Sequence, residues 1–383
     1  MKRILVVTGT RAEYGLLRPV IRAIARHPQL HLQLAVTGTH LEKRFGSTIN
    51  EIQREWPVDA EIPLQLGEGE PGDVARAVGR AVLGMADAIA RLSPQLVLVL
   101  GDRFEILGAA VAAVYSGVFL GHIHGGDVSD AGYDEYARHA ITKLAHLHFC
   151  VSEKSAERVR RLGEDARFVF NVGAPGLDTI LHTPLPDWRE VQTRYHLSGA
   201  PLALLVQHPV SIRPGDAARE LSITLAALEA FPELEIIALY PNADAGGRAM
   251  IDVYESLPAR PRFHVHPSLP HADYLALLSH CAVLVGNSSS GILEAPSFRV
   301  PVVNIGPRQV GRERADNILD VPHDAPAIRA AVRTALSDPD FRRRVEQCKS
   351  PYGDGHAGER IATLLADTAF SDELRRKRLH YDV

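Results

Sequence analysis

The hydrophobic positions of this chain form short continuous runs, and longer segments with helical periodicity separate one run from the next. Continuous apolar runs are typical of strands that are buried on both faces of a parallel sheet. Their alternation with helices predicts an α/β fold. The longest predicted helices are 16–26, 41–56 and 72–92, and the predicted strands are 4–8, 31–37, 61–66, 95–100, 118–123, 147–151, 167–172, 202–207, 235–240, 262–266, 283–285 and 301–305.

The strands fall into two groups, which predict two domains. A chain of 383 residues is longer than most single domains, and the segment 173–199, rich in Pro and Gly, is the predicted join. We predict two Rossmann-like doubly wound domains: 1–178, completed by a C-terminal helix in 356–383, and 179–355. Because ligands bind at the carboxyl ends of parallel strands, we expect both sheets to face one cleft.

Composition and charge exclude several classes of partner. Lysine and arginine number 42, aspartate and glutamate 46, and the net charge is −4 with both signs mixed along the chain. This balance argues against nucleic acid or an anionic membrane as the main partner. The cysteines Cys150, Cys281 and Cys348 have no disulfide or zinc spacing, so we expect a cytoplasmic protein. Neither a signal peptide nor a membrane-spanning segment is predicted.

The most distinctive loop follows the strand 283–285 and reads Gly-Asn-Ser-Ser-Ser-Gly over 286–291. A strand that passes through small residues into a helix N-terminus forms an anion site, because the first helical N–H groups are unpaired and serine hydroxyls add donors. Glu294, one turn later, is placed to reach ribose hydroxyls. The alternative is an ordinary serine-rich helix cap. No lysine follows in the pattern of a P-loop.

Charged residues follow two strands of the first domain. Arg11, after the first predicted strand, is placed to pair with a phosphate or carboxylate, and the alternative is a salt bridge to Glu13. Asp102 follows the strand 95–100. A carboxylate at the end of a buried strand is costly unless it is paired or used. Asp102 is therefore a catalytic group or a helix N-cap, with Arg103 as its candidate charge partner.

The densest group of ionisable residues follows the strand 118–123. Helical spacing places part of this group on one side of a helix. Acid–base chemistry by opposed carboxylates is the favoured interpretation, because the spacing matches no specific metal motif. A capped, salt-bridged helix start is the alternative. The members are His122, His124, Asp127, Asp134, Glu135, Arg138 and His139.

Two further motifs follow strands of the second domain. His208 comes directly after the strand 202–207, a placement that suits ligand contact, although a lone histidine is more often structural. Three arginines follow the strand 301–305, where they would complement a polyphosphate. They are Arg308, Arg312 and Arg314.

In this order, the motifs resemble the UDP-N-acetylglucosamine 2-epimerase family, and its hydrolysing, sialic-acid-pathway branch in particular. The resemblance covers nearly the whole chain. The non-hydrolysing branch typically has Arg-Pro-Glu in the first loop, whereas this chain has Arg-Ala-Glu-Tyr over 11–14. The matching motifs are 9–14, 101–105, 125–127, 138–144, 207–210, 286–291, 308–312 and 352–355.

The resemblance implies a GT-B type fold with the nucleotide held mainly by the second domain. It implies a reaction without NAD or a metal, in which anti elimination of UDP gives a 2-acetamidoglucal and hydration gives a free 2-epimer of the N-acetylmannosamine type. UDP-N-acetylglucosamine and a UDP-2,4-diacetamido-2,4,6-trideoxyhexose both fit, and a GDP-sugar stays open. A homodimer or homotetramer is also implied. The alternatives are a non-hydrolysing 2-epimerase, a GT-B glycosyltransferase and a non-catalytic nucleotide-sugar sensor.

Roles for individual residues also follow from the resemblance. The implied catalytic residues are Asp102, Glu135, Asp127, Asp134 and His208. The implied substrate and UDP contacts are Arg11, His124, Arg138, Asn287, Ser288, Ser289, Ser290, Gly291, Glu294 and Arg312. Relatives often have an acidic residue where His124 stands. The base that removes the C2 proton is therefore open, with Asp102 expected first, then Glu135, Asp127 and Asp134, or His124 in a changed role.

Overall fold

The computed structural model of the protein describes residues 1–43, 48–66, 72–128, 133–210, 214–241 and 246–380. The chain divides into two units, one formed by Met1–Leu181 with Tyr352–Val383 and the other by His182–Pro351. The strands of the first unit are β1 (Lys2–Thr8), β2 (Leu30–Thr37), β3 (Ala60–Ile62), β4 (Leu96–Leu100), β5 (Phe119–Ile123), β6 (Leu147–Cys150) and β7 (Val169–Asn171). Those of the second unit are β8 (Leu202–Val206), β9 (Glu235–Leu239), β10 (Phe263–His266), β11 (Val283–Gly286), β12 (Val302–Ile305) and β13 (Ile318–Val321).

Helices connect these strands in both units. They are α1 (Arg11–Arg26), α2 (Ile49–Gln53), α3 (Asp73–Leu92), α4 (Phe104–Tyr115), α5 (Tyr133–Leu144), α6 (Glu153–Arg161), α7 (Pro175–His182), α8 (Trp188–Arg194), α9 (Ala217–Leu228), α10 (Gly247–Glu255), α11 (His271–His280), α12 (Ser290–Leu293), α13 (Ala325–Ser337), α14 (Pro339–Gln347), α15 (Ala357–Asp367) and α16 (Asp372–Arg375). Short 3₁₀ helices lie at Gly38–Leu41, Ala166–Phe168, Pro214–Asp216 and Ala295–Phe298.

Both sheets are parallel and share one strand order over six strands, and the first sheet has a seventh strand at its edge. The first runs β3-β2-β1-β4-β5-β6-β7 and the second β10-β9-β8-β11-β12-β13. In each, the chain starts in the middle, winds to one edge and then returns to wind to the other. The points where the direction reverses lie between β1 and β4 and between β8 and β11. Loops at such switch points are where α/β sheets bind ligands.

The strands are buried on both faces, which accounts for their uninterrupted apolar sequence. In β1, Ile4 and Val6 pack into one core cluster, and Leu5 and Val7 pack into another. The second unit repeats the pattern with two separate clusters across its own sheet. Because side chains alternate between the faces of a strand, a sheet covered on both sides needs an apolar residue at every position. The predicted fold class, two Rossmann-like doubly wound domains, is confirmed.

The C-terminal helix α15 belongs to the core of the first unit. Ile361 and Leu365 join the cluster that contains Ile4. The Asp178 carboxylate accepts hydrogen bonds from the N–H groups of Ala357 and Gly358, at 3.0 and 2.7 Å, and so caps the helix. The C-terminal residues therefore complete a domain that begins at the first strand.

Several predicted elements differ from the structure. The strand predicted at 61–66 is only Ala60–Ile62, and the helix predicted at 41–56 is α2 alone within its described part, with 44–47 outside the described residues. The predicted join 173–199 contains two helices, α7 and α8, because Pro is well tolerated in a first helical turn. Among the described residues, no helix has the length and apolar character needed to cross a bilayer.

Candidate active site

Asp102 lies at the carboxyl end of β4, directly after Gly101, whose backbone is left-handed (φ +81°). Helix α4 begins at Phe104, and Arg103 occupies its N-cap position without a side-chain capping bond. Asp102 Oδ2 instead accepts a hydrogen bond from the guanidinium of Arg138. The helix-cap interpretation of Asp102 is therefore wrong. Arg103, the expected partner, pairs with Glu105 at 2.7 Å.

Arg138 joins two of the predicted catalytic carboxylates. It lies on α5, is 3% exposed, and donates hydrogen bonds to both Asp102 and Glu135. It also donates to the backbone carbonyl of Asp127 at 3.0 Å. A buried guanidinium is tolerated because charged and polar acceptors surround it. The structure thus brings Asp102, Asp127 and Glu135 to one cation.

His124 and Asp127 form a hydrogen-bonded pair in the loop after β5. His124 Nδ1 lies 2.8 Å from Asp127 Oδ2, and the Ser155 hydroxyl donates to Asp127 Oδ1 at 2.8 Å. Burial acts to raise the pKa of Asp127, but the contacts with His124 and Ser155 and the charge of Arg138 outweigh it, so this pKa is lowered. Against an ionised Asp127, Nδ1 is the donor, and Nε2 of a neutral ring is then an acceptor.

The backbone of this loop fixes the pair in place. His124 has a left-handed conformation (φ +69°), which is uncommon for a residue other than glycine. Gly126 is also left-handed (φ +79°), and a Cβ there would lie 2.2 Å from the Ser155 carbonyl oxygen. Among the described residues, His124 Nε2 has no hydrogen-bond partner. A histidine held by a carboxylate, with its other ring nitrogen unpaired, is the arrangement of a general base.

Asp134 lies in the first turn of α5. Burial raises its pKa, the negative charge of Asp102 adds to this effect, and the cations Arg103 and Arg138 oppose it. A carboxyl group whose pKa is raised holds its proton closer to neutral pH, as a general acid requires. The pKa of Asp134 is therefore raised and that of Asp127 lowered, although both residues were predicted as candidates for the same catalytic role.

Arg11 is the most exposed of the predicted site residues in the first unit. Its side chain is 72% exposed, and its Nε lies 3.3 Å from Glu51 Oε2. The proposed alternative, a salt bridge to Glu13, is wrong. Glu13 turns inward and accepts a hydrogen bond from the Gly9 N–H at 2.8 Å. Exposed ion pairs contribute little stability, so Arg11 can exchange Glu51 for a ligand anion at small cost.

Glu13 and Glu105 are buried carboxyl groups that sequence reasoning did not single out. They lie on either side of Gly9, where a Cβ would be 2.7 Å from Glu105 Oε1. Glu105 pairs with Arg103, whereas Glu13 Oε1 has no partner among the described residues. Burial raises the pKa of Glu13 well above its usual range, and the charge of Glu105 adds to the effect. Glu13 lies in the matching motif 9–14 and Glu105 in the matching motif 101–105. Their place in these motifs was the signal that could have identified them.

Substitution of Glu13 by Gln is expected to remove a pH dependence of stability. The unfolded carboxyl ionises near pH ~4.3, and the folded one at a higher pH, because burial raises its pKa. As pH rises through this interval, only the unfolded state loses the proton, so the wild-type free energy of unfolding falls relative to Glu13→Gln. Urea unfolding of both proteins between about pH 5 and 8 measures this difference. A difference that stays constant with pH contradicts the account.

The serine turn of the second unit follows β11, at the switch point beside β8. Gly286 ends the strand with φ +131°, and a Cβ there would lie 2.2 Å from the Val206 carbonyl oxygen, so only glycine fits. Asn287 is fully buried, and its side chain is committed to the backbone of His208. Its Oδ1 accepts from the His208 N–H at 2.7 Å, and its Nδ2 donates to the His208 carbonyl at 2.9 Å. Asn287 therefore connects the turn to His208, a predicted site residue outside the turn.

The helix after the turn is a single turn long. Helix α12 has only four residues, Ser290–Leu293. The N–H groups from Gly291 to Glu294 already bond to oxygens of the turn at 2.9–3.2 Å. A dipole of one helical turn is small. Among the described backbone groups of the turn, the N–H groups of Ser288 and Ser289 are those without a partner, so the predicted anion donors shift to these two residues.

Ser290 connects Tyr274 with Glu294. The Tyr274 hydroxyl donates to Ser290 Oγ at 2.6 Å, and Ser290 Oγ donates to Glu294 Oε2 at 2.5 Å. Burial raises the pKa of Glu294, and the Ser290 hydrogen bond and His271 oppose this. Gly291, expected to let a ligand approach, instead packs against β12, since a Cβ would lie 2.8 Å from Val302 Cγ1. Ser290 therefore orients Glu294. Because the Ser290 hydroxyl donates its hydrogen to Glu294, it has no hydrogen left to donate to a ligand.

Substitution of Ser290 by Ala is expected to lower the free energy of unfolding by ~1–3 kcal/mol. The loss leaves the Tyr274 hydroxyl and the Glu294 carboxyl without their common partner. Urea unfolding measures it. Ser337→Ala is the matched control, because the exposed Ser337 bonds only the Arg333 carbonyl within its own helix, at 2.8 Å. Equal stability of the two variants contradicts a structural role for Ser290.

The three arginines after β12 have different tasks. Arg314 pairs with Asp320 at 2.6 Å, and Arg308 donates to the Asn287 carbonyl at 3.2 Å. Gln309, a buried residue that sequence reasoning missed, donates to the same carbonyl at 2.8 Å. Arg312 is half-buried, and the structure gives its side chain no ion pair within the described residues. Nowhere in the described ranges do three His, Cys, Asp or Glu side chains group as a metal ion would need.

Comparison with known proteins identifies the family. The sequence profile of the UDP-N-acetylglucosamine 2-epimerase family matches residues 22–366. The chain belongs to this family. A "UDP-N,N′-diacetylbacillosamine 2-epimerase (hydrolyzing)" of Legionella pneumophila is 37% identical over 381 residues, covering 98% of this chain and 99% of the relative. A UDP-N-acetylglucosamine 2-epimerase of Neisseria meningitidis serogroup B is 33% identical over 340 residues, covering 88% of each chain.

A solved structure shows the same fold. It is a UDP-N-acetylglucosamine 2-epimerase from Neisseria meningitidis bound to UDP-GlcNAc, with a TM-score of 0.78 at 18% identity, covering 96% of this chain and 100% of that chain. The predicted family is confirmed, and so is the predicted enzyme class. This 2-epimerase has the predicted fold over nearly its whole length.

Proposed function

We propose that this 2-epimerase hydrolyses UDP-N,N′-diacetylbacillosamine to UDP and the free 2-epimer of the sugar. The observation that supports hydrolytic epimerisation is the presence of two acid–base elements in the first unit. One is Asp102 held by Arg138, and the other is the His124–Asp127 pair. Elimination followed by hydration needs one group to remove a proton and others to deliver a proton and activate water. A sugar transfer needs a single base.

In the proposed first step, Asp102 removes the C2 proton while the C1–O bond breaks. The electron pair of that bond leaves with UDP, and a C1=C2 double bond forms. The C2 proton is not acidic, because the acetamido group is attached to C2 through its nitrogen and no carbonyl carbon is bonded to C2. Stabilisation of the departing diphosphate must therefore supply much of the driving force.

In the proposed second step, water adds across the double bond. Asp134, with its raised pKa, delivers a proton to C2 on the opposite face. His124 Nε2 takes a proton from the water, whose oxygen forms the new bond to C1. Asp127 holds the ring in the required tautomer, and Glu135 holds Arg138 against Asp102. This arrangement makes Asp127 a partner of the histidine and removes it from the candidates for the C2 base.

We propose that the second unit holds the nucleotide. The N–H and hydroxyl groups of Ser288 and Ser289 bind the diphosphate, and Glu294, oriented by Ser290, binds the ribose. Binding that strengthens as charge develops on the leaving group accelerates the reaction, whereas equal binding of substrate and transition state does not. The other proposed phosphate and sugar contacts are Arg11, His208, Arg308 and Arg312.

The choice of sugar rests on similarity. The relative whose name specifies UDP-N,N′-diacetylbacillosamine matches 98% of this chain at 37% identity. The relative named for UDP-N-acetylglucosamine matches 88% at 33% identity. A diacetamido substrate differs from UDP-N-acetylglucosamine by an acetamido group at C4 and the missing hydroxyl at C6. In a site built for the diacetamido sugar, the C6 hydroxyl of UDP-N-acetylglucosamine has no hydrogen-bond partner. Such a site therefore discriminates against UDP-N-acetylglucosamine.

Kinetics with both UDP-sugars test this proposal. We expect kcat/KM for UDP-N,N′-diacetylbacillosamine to exceed that for UDP-N-acetylglucosamine by at least ~100-fold. Nuclear magnetic resonance of the products should show UDP and a free sugar with the manno configuration at C2. Equal kcat/KM values would reject the choice of sugar. Accumulation of an intact UDP-2-epimer would reject hydrolysis.

We also propose a cytoplasmic homodimer or homotetramer. The described cysteines Cys150, Cys281 and Cys348 are buried and unpaired, as is usual in a reducing compartment. Leu83 and Tyr115 expose 70% and 85% of their surface, and large exposed apolar side chains are typical of association surfaces. Light scattering of the purified protein decides between a monomer and the proposed assemblies.

A further inference from the structure

His122 is a buried polar residue that none of the proposed steps uses. It lies in β5 and has no exposed surface. Its Nε2 lies 2.8 Å from the carbonyl oxygen of Gly101, and its Nδ1 lies 3.2 Å from the hydroxyl of Thr142. Because a carbonyl only accepts, Nε2 carries the proton, and Nδ1 accepts from Thr142. One neutral tautomer therefore satisfies both contacts.

The surroundings of His122 keep the ring neutral. Burial lowers the pKa of His122 to about 3, the hydrogen bond to Gly101 opposes this, and electrostatic interactions with His148, His124 and Arg138 lower it further. A ring that is neutral at every working pH exchanges no protons with a substrate. The contacts of His122 are then permanent features of the fold.

These contacts reach three segments that carry acid–base groups. Gly101 immediately precedes Asp102. Thr142 lies one turn after Arg138 on α5, where both side chains point to the same face of the helix. A Cβ on Gly125, the residue after His124, would lie 3.1 Å from both His122 Nδ1 and Thr142 Oγ1, so this loop also packs on the pair.

We propose that His122 is a positioning residue that sets the geometry of Asp102, the 124–127 loop and α5 relative to one another. The inference rests on the proposed function, because it assigns catalytic tasks to those segments. Hydrogen bonds from a fixed ring determine the position of the Gly101 carbonyl and hence of the next residue, Asp102. Displacement of a catalytic group by ~1 Å costs on the order of 100-fold in rate.

Four variants separate positioning from simple stabilisation. His122→Leu removes both hydrogen bonds at similar volume. His122→Gln keeps an amide donor for Gly101. Thr142→Val removes the donor to Nδ1 with little change of shape. His148→Leu is the matched control, because His148 pairs in register with His122 on β6, is 1% exposed, and bonds Glu164 at 3.0 Å.

The readouts are kcat, KM, UDP affinity by calorimetry, and the urea midpoint. We expect His122→Leu to lower kcat by ~100-fold while KM and UDP affinity change less than about threefold. His122→Gln should recover at least ~10-fold of this loss, and Thr142→Val should lose ~10-fold. His148→Leu should lose stability but keep kcat within about twofold.

Two results would overturn the inference. One is a kcat of His122→Leu that falls no more than that of His148→Leu at equal loss of stability. The other is no recovery of kcat in a folded His122→Gln. Wild-type protein that does not release UDP from either UDP-sugar refutes the proposed function instead, so the two failures are distinguishable.

Discussion

Replacing Asp102 by Asn is expected to lower kcat by ~10³-fold, while UDP still binds with nearly wild-type affinity. The amide cannot take the C2 proton, so the elimination loses its base. It still occupies the same space beside Arg138, and the carboxylate of Glu135 remains to balance the guanidinium. The proposed nucleotide contacts do not include Asp102, so calorimetry with UDP should show little change. Steady-state kinetics measure the loss of kcat.

A matched control excludes a loss that comes from breaking any arginine–carboxylate pair. Asp354→Asn breaks the two-point contact with Arg360, at 2.6 and 2.7 Å, in the same unit. This variant should keep kcat within about twofold, since exposed pairs contribute little. If Asp102→Asn keeps more than a tenth of the wild-type kcat, Asp102 is not the base.

The His124–Asp127 pair is expected to act as one catalytic element. His124→Asn removes the ring while its short side chain still accepts the left-handed backbone at φ +69°. Asp127→Asn presents an amide N–H to Nδ1 and so moves the ring proton to Nε2, where it blocks the proposed base. Each single substitution should lower kcat by ~100-fold, and the double variant should lose no more than the larger single loss.

Kinetics of the three variants and the wild type form a double-mutant cycle. Ser155→Ala, which removes only the second hydrogen bond to Asp127, serves as a milder comparison and should lose less than ~10-fold. Losses that multiply to ~10⁴-fold in the double variant would mean that the two residues act independently. That outcome would return Asp127 to the candidates for the C2 base.

The fold followed from local sequence, because strands buried on both faces must be apolar at every position. The core clusters on either side of β1 depend on this alone. Elements with weaker patterns were predicted less well. The edge strand β3 has three residues, and β13 has half-buried side chains, so neither has a continuous apolar run. Edges of sheets are less constrained, and their sequences carry less information.

The candidate site could be located but not resolved from sequence. In the first unit, Asp102 after β4 and Asp127 after β5 both bond Arg138, since parallel strands meet at one edge. The partners of each residue depend on tertiary packing. Asp102 and Arg138 lie far apart in the chain, and Asp102 had a nearer cation in Arg103. Proximity in sequence favoured Arg103, whereas the buried Glu105 holds that cation in the structure.

The hydrogen-bond partners in the serine turn could not be predicted from the sequence either. Its composition indicated an anion site, but the length of the following helix and the use of its N–H groups depend on packing against β12. The left-handed His124 and its contact with Asp127 three residues later are local, and the departure from the family pattern at this position was the signal that pointed to them. The two hydrogen bonds between the Asn287 side chain and the His208 backbone join residues that are distant in sequence, and no local pattern predicts them.

Turnover of the UDP-sugar in deuterated water enriched in ¹⁸O distinguishes elimination and hydration from simple hydrolysis of the C1–O bond. The account predicts that every free product molecule carries deuterium at C2 with inverted configuration, because the C2 proton is removed and a solvent proton is added on the other face. It also predicts that the released UDP contains no ¹⁸O, because the C1–O bond breaks and the phosphorus–oxygen bonds do not. Release of UDP with a sugar that keeps its original hydrogen and configuration at C2 would contradict elimination and hydration.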